Sequence, residues 1–198
     1  VTGVVNAILR KVAARSMDEW TDQLAADEDA IGALAVVGHH PRWVVEAYAD
    51  LLPAEELPEA LAANNVNPRP TLVVRPGLAT LDELVDATPT RFSPFGAVVS
   101  GAPADQPAVR DGRAGVQDEG SQLVAWALAR TDAPVGPWLD VCAGPGGKAA
   151  LLAGLARESG TWLLAGEAQE HRARLVRQAL SAYPDGHVTI AADGTAPA

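Results

Sequence analysis

Cysteine and methionine occur once each, as Cys142 and Met17, in a chain of 198 residues. A lone cysteine excludes an internal disulfide and any cysteine-rich zinc site, which fits the reducing cytoplasm. Lysine is almost as scarce, since Lys11 and Lys148 are the only two among 15 basic side chains. Positive charge is short overall: the formal net charge is -10, which argues against nonspecific nucleic-acid binding over the whole surface. A local basic groove stays compatible with it. No run approaches the roughly 18 consecutive apolar residues of a membrane span, so no membrane association is expected. The N-terminus has no initiator methionine and no cleavage-site pattern, so a signal peptide is not expected in this stretch. It looks like the tail of an amphipathic helix that begins upstream, and the C-terminus stops just after a strand-like stretch. Both ends suggest a piece of a longer protein. With 48% hydrophobic and 20% charged residues, a soluble globular chain is expected.

Three segments follow. Val4, Val5, Ile8, Leu9 and Val12 fall at helix spacing, and Ser16-x-x-Glu19 has the spacing of a capping box opening a second helix at Met17. HHPRWVVEAYADLL predicts another helix with apolar face Trp43, Val44, Ala47, Tyr48 and Leu51, and Pro58 to Asn64 a short one. His39-His40 leads into the helix; no further ligand stands at metal spacing, and no metal is expected. From Pro68 to Val109, Thr71–Arg75 predicts a strand ended by a Pro-Gly turn, LDELVDAT a short amphipathic helix and GAVVSG a second strand: a small α+β module. From Gly115, VQDEGSQLVAWALAR predicts a helix whose apolar side is Leu123, Val124, Trp126, Ala127 and Leu128. Then come WLDVCA as strand, the turn GPGG, KAALLAGLARESG as helix, TWLLAGE as strand, a helix, and HVTIAADG as strand. That alternation is the first half of a doubly wound nucleotide-binding sheet.

A glycine-rich turn between a buried parallel strand and a helix gathers backbone N–H groups at one point and adds the positive end of a helix. A phosphate loop of Walker type is excluded, because Gly144-Pro-Gly-Gly147-Lys148 is two residues short and Ala149 carries no hydroxyl. Gly144-x-Gly146-x-x-Ala149 matches the dinucleotide fingerprint, with Glu167 at about the expected 20-residue distance to accept ribose hydroxyls. S-adenosylmethionine presents the same ribose without a pyrophosphate, and its ammonium makes an acid beside the glycines useful. Asp140 is such an acid, and Asp193 at the next strand end is placed to accept an adenine amino group. Acids at three successive strand ends favour S-adenosylmethionine. A nicotinamide-dinucleotide oxidoreductase remains the alternative at this point.

The stretch Asp140–Lys148, DVCAGPGGK, resembles the first motif of the RNA cytosine-C5 methyltransferases, D-x-C-A-A-P-G-G-K-T, with Gly144 for the usual Ala and Ala149 for the usual Thr. Val116–Gln122, VQDEGSQ, resembles the lead-in VQDEASQ of the same family. VVNAILRKV resembles the end of the NusB-like helical domain of its Sun/RsmB (Fmu) branch, which modifies small-subunit ribosomal RNA. HPRWVVEAY and the following NN…P…VRP resemble that branch's linker and recognition module.

The resemblance implies an α/β fold: a partial Rossmann-like S-adenosylmethionine methyltransferase sheet preceded by a helical segment and a small α+β module. It implies the end of the NusB-like domain at 1–15, linker and module at 16–114, and the first half of the methyltransferase domain at 115–198. The cofactor-binding residues it implies are Cys142, Ala143, Gly144, Pro145, Gly146, Gly147, Lys148, Glu167 and Asp193. The partner is small-subunit ribosomal RNA, and a monomer is expected.

In this family a cysteine in a Thr-Cys loop attacks C6 of cytosine and a second, in a Pro-Cys loop, assists product release. Neither pair occurs here, so no catalytic residue is assigned and the chain alone is expected to be inactive. Cys142 belongs to the cofactor loop and is expected to be a buried packing residue. Arg69, Arg75, Arg110 and Arg113 are candidates for a basic rim facing RNA. A noncatalytic RNA-binding assembly module is a further reading. Half a parallel sheet is expected to expose an aggregation-prone edge.

Overall fold

The computed structural model describes residues 2–196. The chain divides into two compact units, one ending at Pro68 and the other beginning at Arg69. The expected boundaries at 15/16 and 114/115 fall inside these units.

The first unit is helical: α1 (Thr2–Val12), α2 (Met17–Ala25), α3 (Ala30–Val37), α4 (Arg42–Ala49) and α5 (Leu57–Asn64). Ser16 caps α2 through Glu19 in the predicted capping box, satisfying two N–H groups that a helix start otherwise leaves open. The helix α3, AIGALAVV, was not foreseen; Asp29 caps it by accepting the Gly32 N–H at 2.8 Å. Ala35, Val45 and Leu61 form the small core. The predicted apolar face of α4 is therefore out of register. Val45 is the fully buried residue, while Trp43 and Leu51 stand 69% and 81% exposed, because α3 and α5 pack on the other side of the helix. The whole apolar stripe of α1 is exposed as well.

The second unit joins two sheets. One is antiparallel, in the order β2-β3-β1-β4, from β1 (Thr71–Val74), β2 (Ala87–Pro89), β3 (Gly96–Val99) and β4 (Ala114–Val116), with the short helix α6 (Pro107–Arg110) before β4. The helix predicted from LDELVDAT is reduced to one 3-10 turn, Leu81–Glu83. Asp86 takes a positive φ of 49°, which a helix does not accept, and Ala87–Pro89 turns into an edge strand beside β3.

The other sheet is parallel, β5 (Trp138–Asp140), β6 (Leu163–Glu167) and β7 (His187–Ala191), in the order β5-β6-β7. Helices α7 (Glu119–Ala129), α8 (Gly147–Glu158) and α9 (Glu170–Leu180) complete the strand-helix alternation. Helix α8 is buried continuously from Ala149 to Ala156, which its small side chains allow as α7, α9 and β6 all close on it. At Gly154 a Cβ would sit 2.8 Å from Pro76 Cδ, so this glycine lets α8 reach the turn after β1.

The apolar side predicted for α7 is also shifted. Gln122 and Ala125 are its buried residues, and Val124 is 64% exposed. Gln122 is buried because it is bonded on all sides. It accepts from Ser93 Oγ at 2.6 Å and donates to the carbonyls of Leu72 and Gln117 at 3.2 and 2.9 Å.

Alternation along β6 sends Leu163, Ala165 and Glu167 to the helix-covered face. On the opposite face Leu139, Val141, Val188 and Ile190 are exposed, and among the described residues β5 pairs only with β6.

Candidate cofactor site

The chain leaves the sheet at Asp140, whose Oδ1 accepts the Cys142 N–H at 3.1 Å. Ala143 donates to the Gly166 carbonyl at 2.9 Å, and Gly144 donates to Glu167 Oε2 at 3.1 Å. Arg172 closes the loop from α9. Its Nη2 donates to the Gly144 carbonyl at 2.7 Å and its Nε lies 3.6 Å from Glu167 Oε2. Gly146 starts α8 with φ of 115°, a conformation side chains rarely adopt. A Cβ there would also lie 2.6 Å from Ala179 Cβ. Over Gly147, by contrast, a Cβ would meet nothing within 4 Å.

These residues form one wall of a cleft of about 300 Å³. Asp140, Cys142, Ala143, Gly144, Pro145, Gly147 and Lys148 line it, and Val116, Gln117, Asp118 and Ser121 face them. Six of the nine predicted cofactor residues thus meet in one place. Gly146 faces α9 instead and sets the backbone turn. Glu167 is buried behind the loop, with its Oε1 accepting the Gln169 N–H at 3.1 Å, so it holds the loop. Asp193 lies apart, beside an apolar hollow lined by Leu139, Val141 and Ile190. Its Oδ1 accepts the N–H and hydroxyl of Thr195 at 2.9 and 2.7 Å, and these bonds hold its carboxyl below the ordinary range.

The expectation that Cys142 is buried is wrong. The thiol is exposed in the cleft, because β5 ends two residues earlier and the chain has already turned out of the sheet. Of the four arginines read as a rim, Arg113 is tied to Glu83 and Asp111 and Arg75 is buried. Gln117 and Ser121 were missed. Their signal was the VQDEGSQ stretch, whose polar residues alternate between gripping the antiparallel sheet and lining the cleft.

The electrostatics of the cleft are mixed. Burial raises the carboxyl pKa of Asp140; the Cys142 N–H bond and Lys148 oppose that rise, while Glu167 adds to it. Gln117 Oε1 is buried without a partner. Asp140 and this carbonyl oxygen suit an ammonium, while the N-terminus of α8 and Lys148 suit a carboxylate. The residues present therefore fit the amino-acid part of S-adenosylmethionine. Among the described residues no group of three or more His, Cys, Asp and Glu could hold a metal, and no helix is long and apolar enough to cross a membrane.

Residues 125–197 match the family 16S rRNA methyltransferase RsmB/F. This segment is similar to the RsmB/F methyltransferases. S-adenosylmethionine is the cofactor this similarity implies. Among its relatives is a Mycobacterium tuberculosis protein named "Putative methyltransferase Rv1407", 47% identical over 192 residues, covering 92% of this chain and 42% of that protein. The Bacillus subtilis "Probable ribosomal RNA small subunit methyltransferase B" is 29% identical over 193 residues, covering 90% of this chain and 40% of its own length. The chain thus spans about two fifths of these relatives.

Two crystal structures share the fold at 20% identity. That of PH0851 has a TM-score of 0.69 and covers 84% of this chain and 39% of its own. A methyltransferase homolog protein from Pyrococcus horikoshii has a TM-score of 0.66 and covers 84% and 57%.

Proposed function

We propose that this chain is the cofactor-binding part of a cytoplasmic enzyme that methylates C5 of cytosine in small-subunit ribosomal RNA. The observation that carries the reading is Asp140 in the wall of the glycine-loop cleft. An acid there opposes the pyrophosphate of a nicotinamide dinucleotide and complements the ammonium of S-adenosylmethionine. When bound, that cofactor supplies an electrophilic methyl group. Asp140 orients the ammonium, the start of α8 and Lys148 receive the carboxylate, and Glu167 with Arg172 keeps the loop in shape. The RNA specificity rests on the relatives' names and on the DVCAGPGGK and VQDEGSQ stretches. Cys142 lies in the cofactor cleft with no histidine near it in the loop to act as base, and it is not the nucleophile of this proposal.

Calorimetric titration with S-adenosylhomocysteine tests the cofactor role. Saturable binding, weakened at least tenfold by Asp140→Asn and absent with NAD, is expected; equal binding of NAD would overturn it. Nucleoside analysis of 16S rRNA treated with this chain and with the Bacillus subtilis relative tests the rest. 5-Methylcytosine formed by the relative alone is expected, and a different methylated nucleoside would overturn the C5 assignment.

A further inference from the structure

A second cleft, of about 490 Å³, lies on the other side of the glycine loop, with Pro145 part of both walls. It opens between α6 and β4 of the antiparallel sheet and the C-terminal half of α9. At its floor is Arg75, the residue that follows β1.

Arg75 is only 9% exposed. Its Nη1 donates to the Gly112 carbonyl, its Nε has no partner, and no ion pair of Arg75 occurs among the described residues. Guanidinium does not give up its proton in a protein, and buried charges are as a rule paired. The cleft's own acid, Asp111, is engaged by Arg113 Nη2 at 3.3 Å. Gly112 and Gly115 place no side chain over the guanidinium: a Cβ at either would already stand 3.7 Å from its nitrogens. Arg110, whose Nη1 is held by the carbonyls of Ala104 and Asp105 at 3.2 and 2.9 Å, adds a second positive charge at the rim.

We propose that this cleft is an oxyanion site in which Arg75 receives a backbone phosphate of the RNA substrate. The planar fork of an arginine matches a phosphate in two-point contact. S-adenosylmethionine has no phosphate, and its one carboxylate is received by the start of α8 and Lys148 in the first cleft. The anion therefore comes from another ligand, which the shared wall at Pro145 sets beside the cofactor loop. The RNA occupant rests on the function proposed above, whereas the anion chemistry rests on Arg75 alone.

The test uses this chain labelled with nitrogen-15 and the Arg75 Nε–H resonance, assigned by its absence in Arg75→Met. Inorganic phosphate should shift that resonance saturably. Gln178→Glu, which adds a carboxylate on an exposed position of the same cleft, should abolish the shift without altering the melting temperature.

With a short single-stranded RNA, Gln178→Glu should reduce affinity on the order of tenfold, the loss of one charged contact. It should also lower the salt slope of log K by about 0.7. S-adenosylhomocysteine binding should stay unchanged in both variants; failure of the wild type to bind it would count against the cofactor reading and leave the phosphate result standing. No shift with phosphate, or a melting temperature in Arg75→Met far below wild type with unchanged RNA affinity, would make Arg75 a structural arginine and overturn the proposal. A shift with phosphate but an RNA salt slope indifferent to Gln178→Glu would overturn the RNA occupant.

Discussion

Glu167 Oε2 accepts the Gly144 N–H at 3.1 Å, and it does so from the side on which a methyl group at position 144 would project. A Cβ built on Gly144 overlaps that oxygen and lies 2.9 Å from Arg172 Nε. The related motif has alanine at this place, so glycine here is matched to the long carboxylate behind it. Gly144→Ala is expected to destabilise the chain by about 1–3 kcal/mol, as overpacking does, and to weaken S-adenosylhomocysteine binding. Glu167→Asp in the same molecule, one methylene shorter, should return most of the loss. Thermal melts of the two single variants and the double variant measure the coupling; strict additivity would refute it.

Because Cys142 is exposed in the cofactor cleft, it should react with a small alkylating reagent in the folded chain at a rate near that of a free thiol. Saturating S-adenosylhomocysteine should slow the reaction at least tenfold. Mass spectrometry of the alkylated chain gives both rates. An unreactive thiol would return Cys142 to the interior.

Asp140 carries a pH signature. Burial raises its carboxyl pKa above 3.8 in the folded chain, so the folded state holds this proton more tightly than the unfolded one. Its contribution to stability is full below pH 3.8 and is lost as pH rises through the raised folded value. Asp140→Asn keeps the acceptor for the Cys142 N–H and removes the titration. The melting temperature of this variant relative to wild type should therefore climb across that window. A difference independent of pH would contradict it. An ammonium placed beside Asp140 should also release protons on binding in the same window, seen as a dependence of the binding heat on buffer ionisation.

Gln122 joins α7 to the antiparallel sheet from a fully buried position. Replacement by leucine leaves Ser93 Oγ and the carbonyls of Leu72 and Gln117 to find other partners. A loss of about 1–3 kcal/mol is expected for such orphaned groups, measured by urea denaturation. Wild-type stability would mean that water enters to replace the amide.

The parallel sheet was legible in the sequence because its strands and helices alternate in period and its glycines mark the turns. Burial within the helices was not. On α4 and α7 the residues chosen as core were the largest apolar ones, Trp43 and Val124 among them, yet the neighbours lie against Val45, Gln122 and Ala125. Apolar spacing defines a stripe on an isolated helix, and only the packing partners decide which stripe is covered. Glu167 ends β6 as foreseen, while Asp193 stands two residues past the end of β7. Their hydrogen bonds to Gly144 and Thr195 depend on backbone N–H directions that spacing alone does not encode.

The glycine loop is braced before any ligand arrives, by bonds from Asp140, Glu167, Gly166 and Arg172. A ligand that enters the cleft meets a shape already set and loses little chain entropy in taking it. Association through this loop should then proceed in one kinetic phase, as in a lock cut in advance, with affinity differences between related ligands appearing in how long each one stays.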